Sequence, residues 1–89
     1  MKTLKQWAEE TIDIIALDIK KYSDNSKGNL GKSLNYKIKD YEVSFFADDY
    51  FHSANEANKY KYTKRAFSDK RMKEYETIQS NEILKILNN

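Results

Sequence analysis

Residues 28–47 restrict most tightly what this chain can fold into. They hold both of its glycines, Gly28 and Gly31, followed by two runs in which apolar and polar residues alternate. Leu34, Tyr36 and Ile38 alternate with Asn35, Lys37 and Lys39, and Val43, Phe45 and Ala47 alternate with Ser44 and Phe46. A period of two belongs to half-buried strands. The stretch therefore reads as a glycine turn, a short helical turn and a β-hairpin over about 34–47, with Leu34, Tyr36, Ile38, Val43 and Phe45 on the core face. Its tip, Lys39-Asp40-Tyr41-Glu42, lacks Asn-Gly or Asp-Gly, so the turn type stays open and a longer or bulged loop is an alternative. Two strands alone are marginal in water, and this pair needs helices, or strands of another copy, over one face.

Helical patterns flank the hairpin. Thr3 is an N-cap for a first helix running to about Tyr22. Leu4, Ala8, Thr11, Ile15, Ile19 and Tyr22 recur every three or four residues, and Trp7, Ile12 and Ile14 widen that apolar stripe. Lys2, Glu9, Asp13, Asp18, Lys20 and Lys21 fall mostly outside it. Ser23 to Asn29 is loop-forming chemistry. Residues 48–58 suit a short helix capped by Asp48 or Asp49. Ser68 caps a last helix toward Asn88, with Met72, Tyr75, Ile78, Gln79, Ile83, Ile86 and Leu87 as its stripe and Ser80-Asn81 as a point where it can break. The fold class expected is α+β: an N-terminal amphipathic helix, a small antiparallel sheet and a C-terminal amphipathic helix, in a single domain over 1–89.

Lys59-Tyr60-Lys61-Tyr62-Thr63-Lys64-Arg65 alternates basic and aromatic residues. Platforms for single-stranded nucleic acid look like this, because bases stack on rings while cations follow phosphates. An amphipathic strand over about 59–65 shows the same pattern, with Tyr60, Tyr62 and Lys64 facing one way. The net charge of +2 favours the strand and a contact between subunits. Lys59, Tyr60, Lys61, Tyr62, Lys64 and Arg65 are the candidate interface residues.

Composition narrows the function further. A chain of 89 residues buries only about 60% of its unfolded surface. With 39% hydrophobic residues, 34% charged and a mean hydropathy of -0.91, the core is thin and partner subunits would help it. There is no cysteine, hence neither disulfide nor thiolate chemistry. Glu9 and Glu10 precede any apolar run, which argues against a signal peptide, and no span approaches the ~20 apolar residues of a membrane helix. Charge is segregated: residues 59–73 carry Lys59, Lys61, Lys64, Arg65, Lys70, Arg71 and Lys73 against Asp69 alone, whereas 40–56 carries only acids. Such segregation suits head-to-tail contact between copies as well as it suits a polyanion.

Two small motifs touch on ligand chemistry. Gly28-Asn29-Leu30-Gly31-Lys32-Ser33 ends like a P-loop, but a helix precedes it and a strand follows, the reverse of the context that motif needs. Asp49, His52 and Glu56 would share a side of a short helix, yet nothing supplies a fourth ligand, and a solvated surface is the better reading. Neither a cofactor nor a metal is expected. With one histidine and no carboxylate pair set against a nucleophile, an enzyme is the least supported class.

The string Lys27-Gly28-Asn29-Leu30-Gly31-Lys32-Ser33-Leu34-Asn35-Tyr36-Lys37-Ile38, followed by Val43-Ser44-Phe45 and Asp49-Tyr50-Phe51, resembles the tail-completion, or neck, proteins of tailed bacteriophages. The order of elements is similar as well, with Arg65-Ala66-Phe67 leading into the last helix where that family often has Arg-Pro-Ala-Phe. The chain departs from the pattern twice: it lacks that proline, and Asn58-Lys59 stands where the family usually carries Gly-Thr. The resemblance implies a virion structural protein that assembles in the host cytoplasm as a ring at the junction of head and tail, through contacts with copies of itself and with connector or tail-tube proteins. The alternative from another class is a small phage-encoded binding protein, either a nucleic-acid module using Tyr60, Lys61, Tyr62, Lys64 and Arg65 or an inhibitor of a host enzyme.

Overall fold

A computed structural model of the chain describes residues 2–22 and 33–88. Gly28 and Gly31, with the expected glycine corner, the helical turn after it and most of the P-loop-like string, lie outside the described residues.

Helix α1, Leu4–Tyr22, opens on a reciprocal cap. Thr3 Oγ1 accepts the Gln6 backbone N–H (3.1 Å) while Gln6 Oε1 accepts that of Thr3 (2.9 Å), so two donors at the helix start are satisfied by side chains. Leu4, Trp7, Ala8, Thr11, Ile15 and Ile19 are buried along one stripe. Asp18 corrects the sequence reading: expected outside the stripe, it is only 4% exposed, because Arg65 comes from another segment to neutralise it. Tyr22, expected within the stripe, is instead exposed.

The hairpin pairs β1, Asn35–Lys39, with β2, Glu42–Phe46, in antiparallel register. Tyr36 opposes Phe45 and Ile38 opposes Val43, so the alternation read from sequence puts these four on one face. Tyr36, Val43 and Phe45 are half-buried, whereas Ile38 at the rim is exposed. The tip is a tight two-residue turn rather than a longer loop, with Asp40 at φ 51° and Tyr41 at φ 63°. That is the backbone a type I′ turn needs, built here without glycine. Helix α3 holds it: Gln79 Nε2 donates to the Tyr41 carbonyl (2.6 Å), and the Val43 N–H donates to Tyr75 Oη (3.0 Å).

Asp48 caps α2, Asp49–Ala57, by accepting the Phe51 N–H at 2.7 Å. Ser68 caps α3, Asp69–Leu87, which runs through Ser80-Asn81 without a break. The layout is α+β, three helices around a two-stranded antiparallel sheet in the described residues.

No strand forms over 59–65. The segment from Asn58 to Phe67 is a succession of turns in which Thr63 and Lys64 N–H donate to the Tyr60 carbonyl and Phe67 N–H to that of Thr63. Lys59 and Tyr60 sit at φ 56° and 63°, which bends the chain back on α2 instead of extending it. Side chains then follow a period near four: Tyr62 and Ala66 point inward, and Tyr60 is exposed.

Two adjoining clusters make the core. Leu4, Trp7 and Ile78 pack beneath Val43, Phe45 and Tyr75, and further along α1 Ile15 and Ile19 join Phe51, Tyr62 and Ala66. Phe67 packs against both. Helix α3 runs antiparallel to α1, since the Leu4 N–H reaches Glu82 (3.0 Å) while Arg71, earlier in α3, reaches Thr11 (2.6 Å). They overlap only over the first half of α1, which makes the molecule elongated, 51 × 21 × 18 Å. Its radius of gyration, 14.6 Å, exceeds the roughly 12 Å of a compact chain this long. The last turns of α3 project past α1. Ile83, Ile86 and Leu87, expected in the buried stripe, are consequently exposed together with Leu84, Leu87 to 74%.

Candidate functional site

The last turns of α1 and the turns after α2 enclose an open groove of about 800 Å³. Leu17, Asp18, Lys21 and Tyr22 line it from α1, and Lys61, Lys64 and Arg65 from the other side. The fold brings these together because Tyr62 and Ala66 are anchored against Ile15 and Ile19. Anchoring residues four apart leaves the neighbouring Lys61, Lys64 and Arg65 facing outward beside α1.

The Asp18 carboxylate lies at the base of the groove. Arg65 straddles it with three hydrogen bonds, from Nε at 3.2 and 3.3 Å and from Nη2 at 3.0 Å. That bonding raises the pKa of an already permanent cation. Arg65 is thus committed within the molecule, and its side chain remains 58% exposed. Lys61 and Lys21 are placed differently. Their Nζ atoms lie over the Tyr22 ring, at 5.6 and 5.2 Å from its centre, so the ring orients two ammonium groups by cation–π attraction without neutralising them. Lys64 makes no ion pair among the described residues. The groove accordingly presents several cations around one buried acid, an arrangement that can bind an anionic partner.

Of the six residues singled out from sequence, Lys61, Lys64 and Arg65 meet in the groove. Tyr62 does not: at 2% exposure it is core, and its hydroxyl accepts from Asn58 Nδ2 (3.1 Å). Lys59 and Tyr60 are exposed at the corner after α2 and line no part of it. Sequence reasoning missed Leu17, Lys21 and Tyr22. The signal within reach was Asp18, an acid in step with Thr11 and Ile15 on the buried stripe, which required a cation from elsewhere and so marked where the basic segment would dock.

The ligand-like trio of α2, Asp49, His52 and Glu56, is exposed, and among the described residues no three such groups gather to hold a metal. Asp49 and Glu56, seven apart, share the face of α2 opposite the buried Phe51 and Asn55. No helix among the described residues is long and apolar enough to cross a membrane. Compared with models of protein families, with characterised proteins and with solved structures, the chain matches none.

Proposed function

We propose that this chain is a structural assembly subunit, one copy of a ring at the neck of a tailed bacteriophage virion, built in the host cytoplasm and joining head to tail by protein–protein contacts. The observation that carries this reading is the projecting end of α3. Ile83, Leu84, Ile86 and Leu87 expose a contiguous aliphatic surface interrupted only by Lys85, and apolar surface of that kind marks a contact with another protein. A connector or tail-tube protein is its partner in this reading.

The motif resemblance supports the placement at the neck. Asn58, which stands where that family usually carries the glycine, has φ -98°, and the positive φ falls on the next two residues, Lys59 and Tyr60.

Light scattering and negative-stain imaging of the purified protein, alone and mixed with connector components, test the proposal. A defined oligomer, or a complex with a connector protein lost in Ile83→Glu/Ile86→Glu, is expected. A strict monomer that binds no virion component overturns it.

A further inference from the structure

Resting on the assembly reading, we propose that the contact between neighbouring copies is electrostatic and head-to-tail: the basic groove of one copy receives the acidic outer face of α2 of the next.

Three observations lead there. First, the two surfaces are different faces of one subunit: the groove lies between the last turns of α1 and Lys61, Lys64 and Arg65, whereas Asp49 and Glu56 are exposed on α2 and line no part of it. A contact between two unlike surfaces repeats from copy to copy, as a ring requires.

Second, the charges match. From Asp48 to Asn58 there are three acids and no lysine or arginine, and Asp49 and Glu56 point away from the molecule. Neither makes an ion pair among the described residues, and the same holds for Lys21, Lys61 and Lys64. Each surface is unneutralised where the other can neutralise it.

Third, the groove is made for carboxylates rather than for stacked bases. Its one aromatic ring, Tyr22, already has the ammonium groups of Lys21 and Lys61 over it, so a base stacking there competes with them. Of the two tyrosines that flank Lys61, Tyr62 is buried and Tyr60, though exposed, lines no part of the groove.

Charge-reversal variants test the contact by sedimentation velocity in low salt. Lys61→Glu/Lys64→Glu leaves a copy with two acidic surfaces, and Asp49→Lys/Glu56→Lys leaves one with two basic surfaces; all four positions are exposed, so folding measured by circular dichroism stays as in the wild type. Each variant alone is expected to sediment as a monomer. An equimolar mixture restores both contacts and assembles with the two copies alternating, whereas wild-type assembly weakens as salt is raised. Either variant assembling alone like the wild type overturns the contact while leaving the assembly reading intact, and so does a mixture that stays monomeric. Loss of single-stranded oligonucleotide binding in Lys61→Glu/Lys64→Glu with assembly unchanged assigns the groove to a polyanion and overturns it too. A wild-type chain that is monomeric under every condition overturns the contact, and it removes the assembly reading itself only if it also binds no connector component.

Discussion

Asp18 and Arg65, forty-seven residues apart, form the tie that fixes the turn segment to α1, and the two partners are unequally placed: the acid's side chain is 6% exposed and the arginine's 58%. Removing the arginine leaves a carboxylate in the interior without its cation, a strongly destabilising change. Arg65→Met is expected to lower the midpoint of urea unfolding. The double variant Asp18→Leu/Arg65→Met recovers most of that, because no unpaired charge remains. Lys61→Ala and Lys64→Ala, by contrast, leave the unfolding midpoint unchanged. This separates the residue that builds the groove from those that present charge to a partner.

Lys2, Glu10 and Glu74 form a second tie, across the start of α1 and the middle of α3. Lys2 Nζ donates to Glu10 (2.9 Å) and to Glu74 (3.1 Å), and Arg71 also donates to Glu10. The bond from Lys2 first, and then that from Arg71, hold the Glu10 carboxyl below its ordinary 4.5. A carboxyl whose folded pKa is depressed contributes stability above its unfolded value, and that contribution fades as pH falls through the folded one. Lys2 is held above its ordinary 10.5 by the bonds to Glu10 and then Glu74, so its contribution is present below 10.5 and fades as pH rises past the folded value. These side chains are more than a third exposed, so solvent screening limits the effect to about 1 kcal/mol or less. Glu10→Gln should be less stable than wild type at pH 7. Urea titrations repeated toward pH 3 should show that difference shrinking.

The corner after α2 carries backbone strain. A non-glycine residue in the left-handed region costs roughly 1–2 kcal/mol, and Lys59 and Tyr60 occupy it consecutively. Lys59 is exposed, so replacing it loses no packing. Lys59→Gly relieves that cost, less the entropy glycine gains on unfolding, and should stabilise by about 0.5–1 kcal/mol. In thermal denaturation this appears as a rise of about 2–6 °C in Tm. Lys59→Val should lower it.

Much of the fold was legible because local chemistry decided it. Thr3, Asp48 and Ser68 each cap the helix they precede, and the alternation of Tyr36 and Ile38, Val43 and Phe45 fixed the face and pairing of the hairpin. What stayed hidden depended on contacts distant in sequence. The Lys-Tyr-Lys-Tyr run carries the period of a strand, yet the chain closes its own carbonyls into turns and sends Tyr62 inward against Ile15 and Ile19. Asp18 read as surface because its partner lies beyond the hairpin and α2. The end of α3 read as buried because its stripe is periodic, and periodicity does not say how far the neighbouring helix extends. For the site, sequence located the basic half of the groove and missed the half contributed by α1.

Trp7, the only tryptophan, is 1% exposed and lies at the centre of the first cluster. Its ring meets Tyr75 edge-on at 4.8 Å and Phe45 at 6.0 Å, and the Arg71 guanidinium lies 5.1 Å from its centre. Those contacts argue for a large contribution, but the buried indole Nε1–H finds no acceptor among the described residues. A buried donor without a partner costs about 1–3 kcal/mol, which offsets part of what the ring's burial supplies. The two effects separate by substitution. Trp7→Ala removes the ring and opens a cavity, at an expected cost of about 3–5 kcal/mol, which would unfold so thin a core. Trp7→Phe keeps an aromatic against Tyr75 and Phe45 while deleting the orphaned donor, so the loss should fall below about 1.5 kcal/mol. Urea unfolding followed by circular dichroism measures both, and a phenylalanine variant as damaged as the alanine one would mean that the indole N–H is satisfied in solution.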